Sequence, residues 1–143
     1  LIHERMADKV LLVMAKRDGQ YIASALNFIG SETLFGRYWG CLEDHDGLHF
    51  ELCYHQALDY ALSRGLKRVE AGAQGSHKIK RGLLPHVIHS CHFFADRQLS
   101  RAFNLIMGEE KPHITQEIEM ARCDGPFKQE CLPPFPPIAG FER

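Results

Sequence analysis

Three short apolar runs separated by tight turns lie near the amino terminus, and they constrain the fold more than any other feature. Residues 10–16 and 21–29 flank the Asp18-Gly19 dipeptide, which favours a tight hairpin turn. A third run, residues 33–39, follows a second break. Runs of this length bounded by turns are typical of strands, so the sequence predicts an antiparallel three-stranded meander.

The hydrophobic pattern changes after a loop at residues 40–47. Residues 50–64 have a helical period, and Gly65 stands where a left-handed C-terminal cap is expected. Residues 66–71 predict a further strand, parallel to residues 33–39 because a helix connects the two. The apolar side chains predicted to share one helix face are Cys53, Tyr54, Ala57, Leu58, Ala61 and Leu62.

The remaining pattern predicts one more strand and more helix. Residues 1–9 are typical of the last turns of a helix, and residues 87–94 alternate weakly like a strand. Residues 97–121 predict one helix, or two helices that meet near Pro112. The side chains expected to face inward there are Leu99, Ala102, Phe103, Ile106 and Met107.

A proline-rich tail closes the chain. Residues 122–143 contain Pro133-Pro134 and Pro136-Pro137, which are incompatible with a helix interior or a central strand. We expect an extended strap or a disordered end there. The fold class predicted is therefore α/β, an α+β arrangement with a mixed sheet, in which residues 1–121 form the folded domain.

Composition excludes several classes of function. The chain has 143 residues and a net charge of −1, so no global field attracts nucleic acid or an anionic membrane. No uncharged apolar run approaches the ~18 residues that a membrane span needs. The five cysteines are an odd number without a CxxC pair. Reduced thiols are expected rather than a disulfide framework or a zinc ribbon.

The most distinctive candidate site is the loop that follows the strand ending at Glu70. Glycines stand at positions 72, 75 and 82, and Gln74 and His77 lie between them. Ligands in open α/β sheets bind beyond the carboxyl ends of strands, and glycines let a backbone approach them. The cations of this loop, which suit a phosphate or a carboxylate, are Lys78, Lys80 and Arg81. The alternative is a solvated turn whose charges only maintain solubility.

Two further groups of side chains are candidates. Arg37, Tyr38 and Trp39 end the third run and would either line a cleft or, as strand aromatics usually do, pack in the core. Glu51 and His55 lie one helical turn apart, a spacing that suits an acid–base couple or a metal. No further ligand has a convincing spacing, although His89 and His92 could lie nearby. Cys53 and Cys91 are expected to pack as small hydrophobic residues.

Four stretches together carry a resemblance to a known family. They are residues 25–30 (ALNFIG), 34–40 (LFGRYWG), 49–54 (HFELCY) and 70–85 (EAGAQGSHKIKRGLLP). The chain resembles the peptidoglycan biosynthesis/recognition family, a FemAB-like branch of the GNAT (acyl-CoA N-acyltransferase) superfamily, from residue 1 to about Lys128. The resemblance implies a GNAT-like mixed sheet that lacks its first strand and most of its first helices. Because family members typically contain two such domains, the chain is expected to be a C-terminal part or a shortened relative.

The resemblance also implies N-acyl transfer from a donor to a small-molecule or peptide amine. Acetyl-CoA users of the superfamily have a glycine-rich pyrophosphate loop, where this chain has residues 40–47 with Glu43, Asp44 and Asp46. These carboxylates would repel a pyrophosphate. Fem-type enzymes also lack the glycine-rich loop and use aminoacyl-tRNA. The expected donor is therefore an acyl-CoA or an aminoacyl-tRNA, and no other cofactor is implied.

Two hypotheses follow. In an N-acyltransferase, Glu70, Glu51 or His55 would serve as the base. The basic loop with Gln74 and His77 would hold the donor, and residues 37–39 would shape the acceptor cleft. In a non-catalytic module, the fold would dock on a missing N-terminal domain or a protein complex, and an exposed apolar sheet edge would favour this alternative. Nucleic-acid binding without catalysis has only the patch at 77–81 in its favour.

The expected compartment is the cytoplasm in a bacterium, and a plastid or mitochondrion in a eukaryote.

Overall fold

The computed structural model describes residues 2–72 and 75–133. The chain divides into two compact units, residues 1–74 and residues 75–143. The first unit holds the sheet and the second holds the longest helix.

A four-stranded sheet in the order β1-β2-β3-β4 organises the first unit. It follows helix α1 (Ile2–Met6) and a 3-10 turn, Ala7–Lys9. The strands are β1 (Val10–Arg17), β2 (Gln20–Ile29), β3 (Thr33–Cys41) and β4 (Arg68–Glu70). β1 to β3 are antiparallel and β4 is parallel to β3. The predicted meander and parallel strand are confirmed, as is the mixed-sheet fold class.

The predicted hairpin turn is present between β1 and β2. Asp18 and Gly19 have φ angles of 50° and 81°, the left-handed values that a type I′ turn requires at both central positions. Glycine has no Cβ to clash in this region, and aspartate tolerates it better than most residues. The turn sets the register of the two pairs next to it, Arg17–Gln20 and Lys16–Tyr21, and the register then shifts between Lys16 and Ala15.

Helix α2 consists of three contiguous parts and connects β3 to β4. Leu48–Phe50 is α-helical, Glu51–His55 is a π-helical turn and Gln56–Ser63 is α-helical again. At its end, the Leu66 amide donates to the Ala61 carbonyl and the Gly65 amide to the Leu62 carbonyl. This pair of bonds is a Schellman motif with Gly65 at a φ of 65°. The cap predicted at Gly65 is therefore confirmed.

The core of the first unit lies between α2 and one face of the sheet. Ala23 and Ala25 of β2 pack against Leu52 of α2. The partly buried side chains around this cluster are Val13, Ala15, Trp39, Leu48 and Cys53. Because side chains alternate along a strand, the odd-numbered residues of β2 define the covered face.

The predicted stripe of α2 is only partly correct. Ala57 and Ala61 are buried, and Leu52 and Tyr54 are buried in the preceding turn. Leu58 and Leu62 are 43% and 77% exposed. A π turn has more residues per turn than an α-helix, so a constant 3.6-residue period carried across it no longer describes which face is inward.

The second unit opens with a 3-10 helix, Ser76–Arg81, and is dominated by α3 (Arg97–Cys123). Asp96 caps α3 by accepting hydrogen bonds from the amides of Gln98 and Leu99 at 2.7 and 3.0 Å. α3 is one helix rather than two. A further 3-10 turn, Gln129–Cys131, follows it, and the part of the predicted tail after Pro133 lies outside the described residues.

Two expectations for the second unit are wrong. Residues 87–94 form no strand, since polar side chains interrupt the run and the described part of this unit contains no strand to pair with it. Ile88 and Phe93 are accordingly 67% and 90% exposed. In α3, Phe103 and Met107 are half-buried as predicted. Three other residues expected inward, Leu99, Ala102 and Ile106, are exposed, and the rings that contact this helix, those of His92 and Phe94, meet it at Phe103.

Candidate functional site

The parallel strands β3 and β4 separate at Glu70. Their pairing covers Thr33–Arg68, Leu34–Val69 and Phe35–Glu70, and β4 then ends while β3 continues to Cys41. From Gly36 onward, β3 has no strand partner on this side within the described residues. This opening at the carboxyl end of two parallel strands is the place where α/β folds bind ligands.

Gly36 sits where the chain leaving β4 crosses β3. A Cβ built on Gly36 would lie 3.2 Å from the Glu70 carbonyl oxygen and 3.6 Å from Oδ1 of Asn27. Asn27 is only 2% exposed, and its Nδ2 donates to the Leu11 carbonyl at 3.5 Å. A side chain at Gly36 would therefore press on the backbone at the end of β4, which would have to shift by a few tenths of an ångström.

A β-bulge in β3 re-aims two of the predicted site residues. Asn27 pairs with Gly36 and Leu26 pairs with Tyr38, so Arg37 is the extra residue. The bulge places Arg37 beside Tyr38 instead of on the opposite face, and both side chains are exposed. Bulges are over-represented next to active sites because they redirect side chains in this way.

Glu70 lies on the same face of the sheet as Tyr38. Val69 pairs with Leu34 on the face that α2 covers, so the next residue along the strand points to the other face. Glu70 is half-buried. Arg37, Tyr38 and Glu70 are therefore three predicted site residues that the structure brings to one face of the sheet.

Trp39 lies on the opposite, covered face and belongs to an aromatic cluster. Its ring meets the His49 ring edge-on at 5.3 Å, and His49 meets Tyr54 edge-on at 5.6 Å. His49 and Tyr54 are five residues apart, a spacing that does not bring side chains together on a regular α-helix. The π turn between them makes this contact. Trp39 thus packs with the core, which was one of its two predicted roles.

Glu51 and His55 form an ion pair on the solvent side of α2. Nδ1 of His55 lies 3.3 Å from Oε2 of Glu51, and Nε2 of Gln56 donates to Oε1 of Glu51 at 2.7 Å. The His55 side chain is 66% exposed and the Glu51 side chain is 49% exposed. Since α2 covers the face opposite Glu70, this pair and Glu70 are on different sides of the sheet. The catalytic role of each stays a prediction.

The acidic loop before α2 is partly neutralised. Oε2 of Glu43 lies 2.8 Å from the Arg17 guanidinium and 3.0 Å from Nε2 of His45. Arg17 belongs to the β1–β2 hairpin, so this contact ties the hairpin to the loop. Two of the three loop carboxylates, Asp44 and Asp46, remain exposed without an ion pair to any described residue.

The basic loop forms the 3-10 helix of the second unit. Lys80 and Arg81 are exposed, Lys78 is half-buried, and the Arg81 guanidinium donates to the His77 carbonyl at 2.9 Å. The Gly82 amide donates to the Ile79 carbonyl and the Leu83 amide to the Lys78 carbonyl. These bonds close the turn as a Schellman motif with Gly82 at a φ of 84°. Gln74, the remaining predicted residue of this loop, lies outside the described residues.

The sequence shows His49 just before the Glu51–His55 pair but assigns it no role. The aromatic residues around it, Trp39 on β3 and Phe50 and Tyr54 on α2, are visible in the sequence. The π turn that brings His49 to Tyr54 is not indicated by any local sequence pattern. Conversely, Cys91 is exposed and not packed as expected, whereas Cys53 does pack against the core. None of the five cysteines, all of which lie in the described part of the chain, is joined in a disulfide.

The described residues contain neither a metal cluster nor a membrane-spanning helix. In the described ranges, His, Cys, Asp and Glu side chains form no group of three that could hold a metal ion. None of the helices in those ranges has the length and apolar content to cross a membrane.

Comparison with known proteins gives one match. The model of the FemAB-like family, described as peptidoglycan biosynthesis/recognition, matches residues 1–129. Neither a curated protein nor a solved structure gave a match. The matched region covers the whole sheet, α2, the basic turn and α3. The chain therefore belongs to the FemAB-like family.

Proposed function

We propose that the chain is an N-acyltransferase that moves an acyl or aminoacyl group from a thioester or ester donor to an amine. One observation carries the proposal: β3 and β4 separate at Glu70, and the bulge at Arg37 directs Arg37 and Tyr38 to the same face. An opening between parallel strands with a carboxylate at its mouth suits a reaction that positions two partners and removes a proton. Membership of the FemAB-like family supports this class of chemistry.

The chemistry assigned to this opening is addition and elimination at a carbonyl. The amine nitrogen forms a bond to the carbonyl carbon, and Glu70 accepts the proton that the amine loses. Alternate N–H groups on the edge of β3 beyond Gly36, which has no strand partner within the described residues, would stabilise the tetrahedral oxyanion. The C–S or C–O bond then breaks, and the leaving thiolate or alkoxide takes up a proton. Arg37 and Tyr38 contact the acceptor, and Trp39 supports the bulge from the covered face.

The cations of the basic turn, Lys78, Lys80 and Arg81, together with His77, are assigned to the anionic part of the donor. Acyl-CoA and aminoacyl-tRNA both carry phosphates, so the same charges fit either donor. The exposed Asp44 and Asp46 disfavour a pyrophosphate at the start of α2. Glu51 and His55 are retained as the second candidate for the base.

Thermal shift with candidate donors tests the proposal. The chain is melted with acetyl-CoA, with longer acyl-CoAs and with charged tRNA. A donor at 100 times its dissociation constant should add about 2.7 kcal/mol to the stability of the folded state, a shift of several degrees. Replacing Lys78, Lys80 and Arg81 together with alanine should abolish this shift.

A matched control removes the same charge elsewhere. Replacing Lys9, Arg97 and Arg101, which are also exposed, with alanine should leave the shift unchanged. If the basic-turn variant, melting normally without ligand, keeps the wild-type shift, the cations do not hold the donor. If no donor shifts the folded wild-type chain, the acyltransferase proposal fails.

A second candidate function is a non-catalytic docking module. It is favoured by β1, the outer strand of the sheet, which has no partner on its free side within the described residues. Leu12 and Met14 on this strand are 47% and 46% exposed. Exposed strand edges pair with extended segments of other proteins. Absence of any donor shift from a folded chain is the result that favours this candidate.

A further inference from the structure

The segment that follows α3 packs against the basic turn. A Cβ built on Gly82 would lie 3.0 Å from Cζ and 3.3 Å from Cε2 of Phe127, so the phenyl ring covers this glycine. A Cβ built on Gly125 would lie 3.9 Å from Cγ2 of Ile79. Gly82 therefore allows the Phe127 ring to approach the turn closely, and Gly125 lies at ordinary contact distance from Ile79.

Gly82 is the residue that closes the basic turn. Its φ of 84° is left-handed, and its amide and that of Leu83 bond back to the carbonyls of Ile79 and Lys78. Opening this cap frees the carbonyl ends of the turn that carries Lys80 and Arg81. The Phe127 ring thus contacts the residue on which the shape of the turn depends.

The position of Phe127 is itself fixed from α3. The amides of Asp124 and Gly125 bond back to the carbonyls of Met120 and Arg122 at 3.2 and 3.3 Å. Further along, the Arg122 guanidinium donates to the Pro133 carbonyl. The segment is therefore held at both ends, and Phe127 lies between the two attachments.

We propose that Phe127 is a positioning residue: by packing on Gly82, it holds the basic turn in the shape that binds the phosphates of the donor. This inference rests on the proposed function for its ligand, and on the contacts above for its geometry. Phe127 acts through Gly82 and touches neither donor nor acceptor. The family match ends at residue 129, just after this contact.

Limited proteolysis tests the positioning step without any ligand. Trypsin cleaves after Lys78, Lys80 and Arg81, and mass spectrometry identifies fragments that end there. Phe127→Ala should raise the cleavage rate at these sites roughly tenfold, since removing a half-exposed phenyl contact shifts local opening by about that factor. Phe93→Ala is the matched control, because the Phe93 ring is 90% exposed in the same unit, and it should cleave at the wild-type rate.

Donor affinity and conservative replacement complete the test. Phe127→Ala should weaken binding of the donor found in the thermal-shift screen by about tenfold. The rate at saturating donor should be unchanged, and Phe127→Leu should restore most of the affinity and the protease resistance. Equal cleavage of the Phe127→Ala and Phe93→Ala variants would overturn the inference whatever the donor result. A wild-type chain that binds no donor would instead overturn the proposed function, while proteolysis still decides the role of Phe127. If a donor binds equally well to both alanine variants, the inference fails and the proposed function stands.

Discussion

Replacing Glu70 with glutamine should slow acyl transfer by roughly 10²–10⁴-fold, the usual contribution of a positioned general base. The amide keeps the size and shape of the carboxylate but cannot accept the amine proton. Since Glu70 lies on the first unit's sheet and the donor is assigned to the basic turn, the thermal shift caused by the donor should be unchanged. A lower rate with an unchanged shift would separate proton removal from donor binding.

The assay follows release of free thiol from acyl-CoA, or of uncharged tRNA, with glycine, lysine or a lysine-containing peptide as amine. Glu51→Gln is the matched control, because it removes a carboxylate that is 49% exposed on the other side of the sheet. It should change the rate less than threefold, roughly the effect expected of an exposed ion pair. The opposite result, a slow Glu51→Gln and a normal Glu70→Gln, would move the base to the Glu51–His55 pair.

Replacing Gly36 with alanine should lower the free energy of unfolding by about 1–3 kcal/mol, the usual cost of overpacking. The added methyl group would lie 3.2 Å from the Glu70 carbonyl oxygen, so either β3 or the end of β4 has to move. Because that carbonyl belongs to the candidate base, the same change should also lower the rate of transfer.

Gly40→Ala provides the comparison on the same strand. A Cβ built on Gly40 meets nothing within 4 Å, and its φ is not left-handed. Urea unfolding should show a midpoint close to wild type for Gly40→Ala and a clearly lower one for Gly36→Ala. Equal midpoints would mean that the end of β4 tolerates a side chain at Gly36. The close approach of the two strands would then have no role in shaping the site.

The sequence was a good guide wherever the structure follows a local rule. The Asp18-Gly19 turn and the cap at Gly65 depend on residues close in the chain, and the parallel direction of β4 follows from the helix that connects it to β3. The order of the strands followed from these turns and from the helix between β3 and β4. The resemblance then added the family and the mixed sheet, and both are confirmed.

The features missed by the sequence depend on how strands and turns fit together. The bulge at Arg37 exists only in the pairing of β2 with β3, and it decides that Arg37 and Tyr38 share a face. The π turn changes which side chains of α2 are buried and brings His49 to Trp39. Glu70 lies on the opposite side of the sheet from Glu51 and His55, and this too can be seen only from the strand register. The hydrophobic period and the residue spacing in the sequence do not show which side of the sheet each of the three residues is on.

The wrong strand at residues 87–94 has the same origin. A strand is stable only when another strand completes its hydrogen bonds, and no neighbour in the described part of the second unit does so. His92, Phe94 and Phe103 instead form a small ring cluster, with the Phe94 and Phe103 centroids 4.9 Å apart. The weak alternation of residues 87–94 does not show whether a partner strand is present or that two of its rings pack on α3.

The open side of β1 has a practical consequence for every titration proposed above. Along β1, Val10–Arg17, alternate residues direct their backbone N–H and C=O groups to the edge that has no strand partner within the described residues, and no proline interrupts the strand. Lys16 and Arg17 at its end provide the charge that discourages self-pairing, and that repulsion weakens as ionic strength rises. Concentrated, salty samples should therefore show association of the chain with itself, and binding constants measured there should drift with protein concentration. Ligand binding should therefore be measured in dilute samples at low salt, where self-association of the chain does not compete with the ligand.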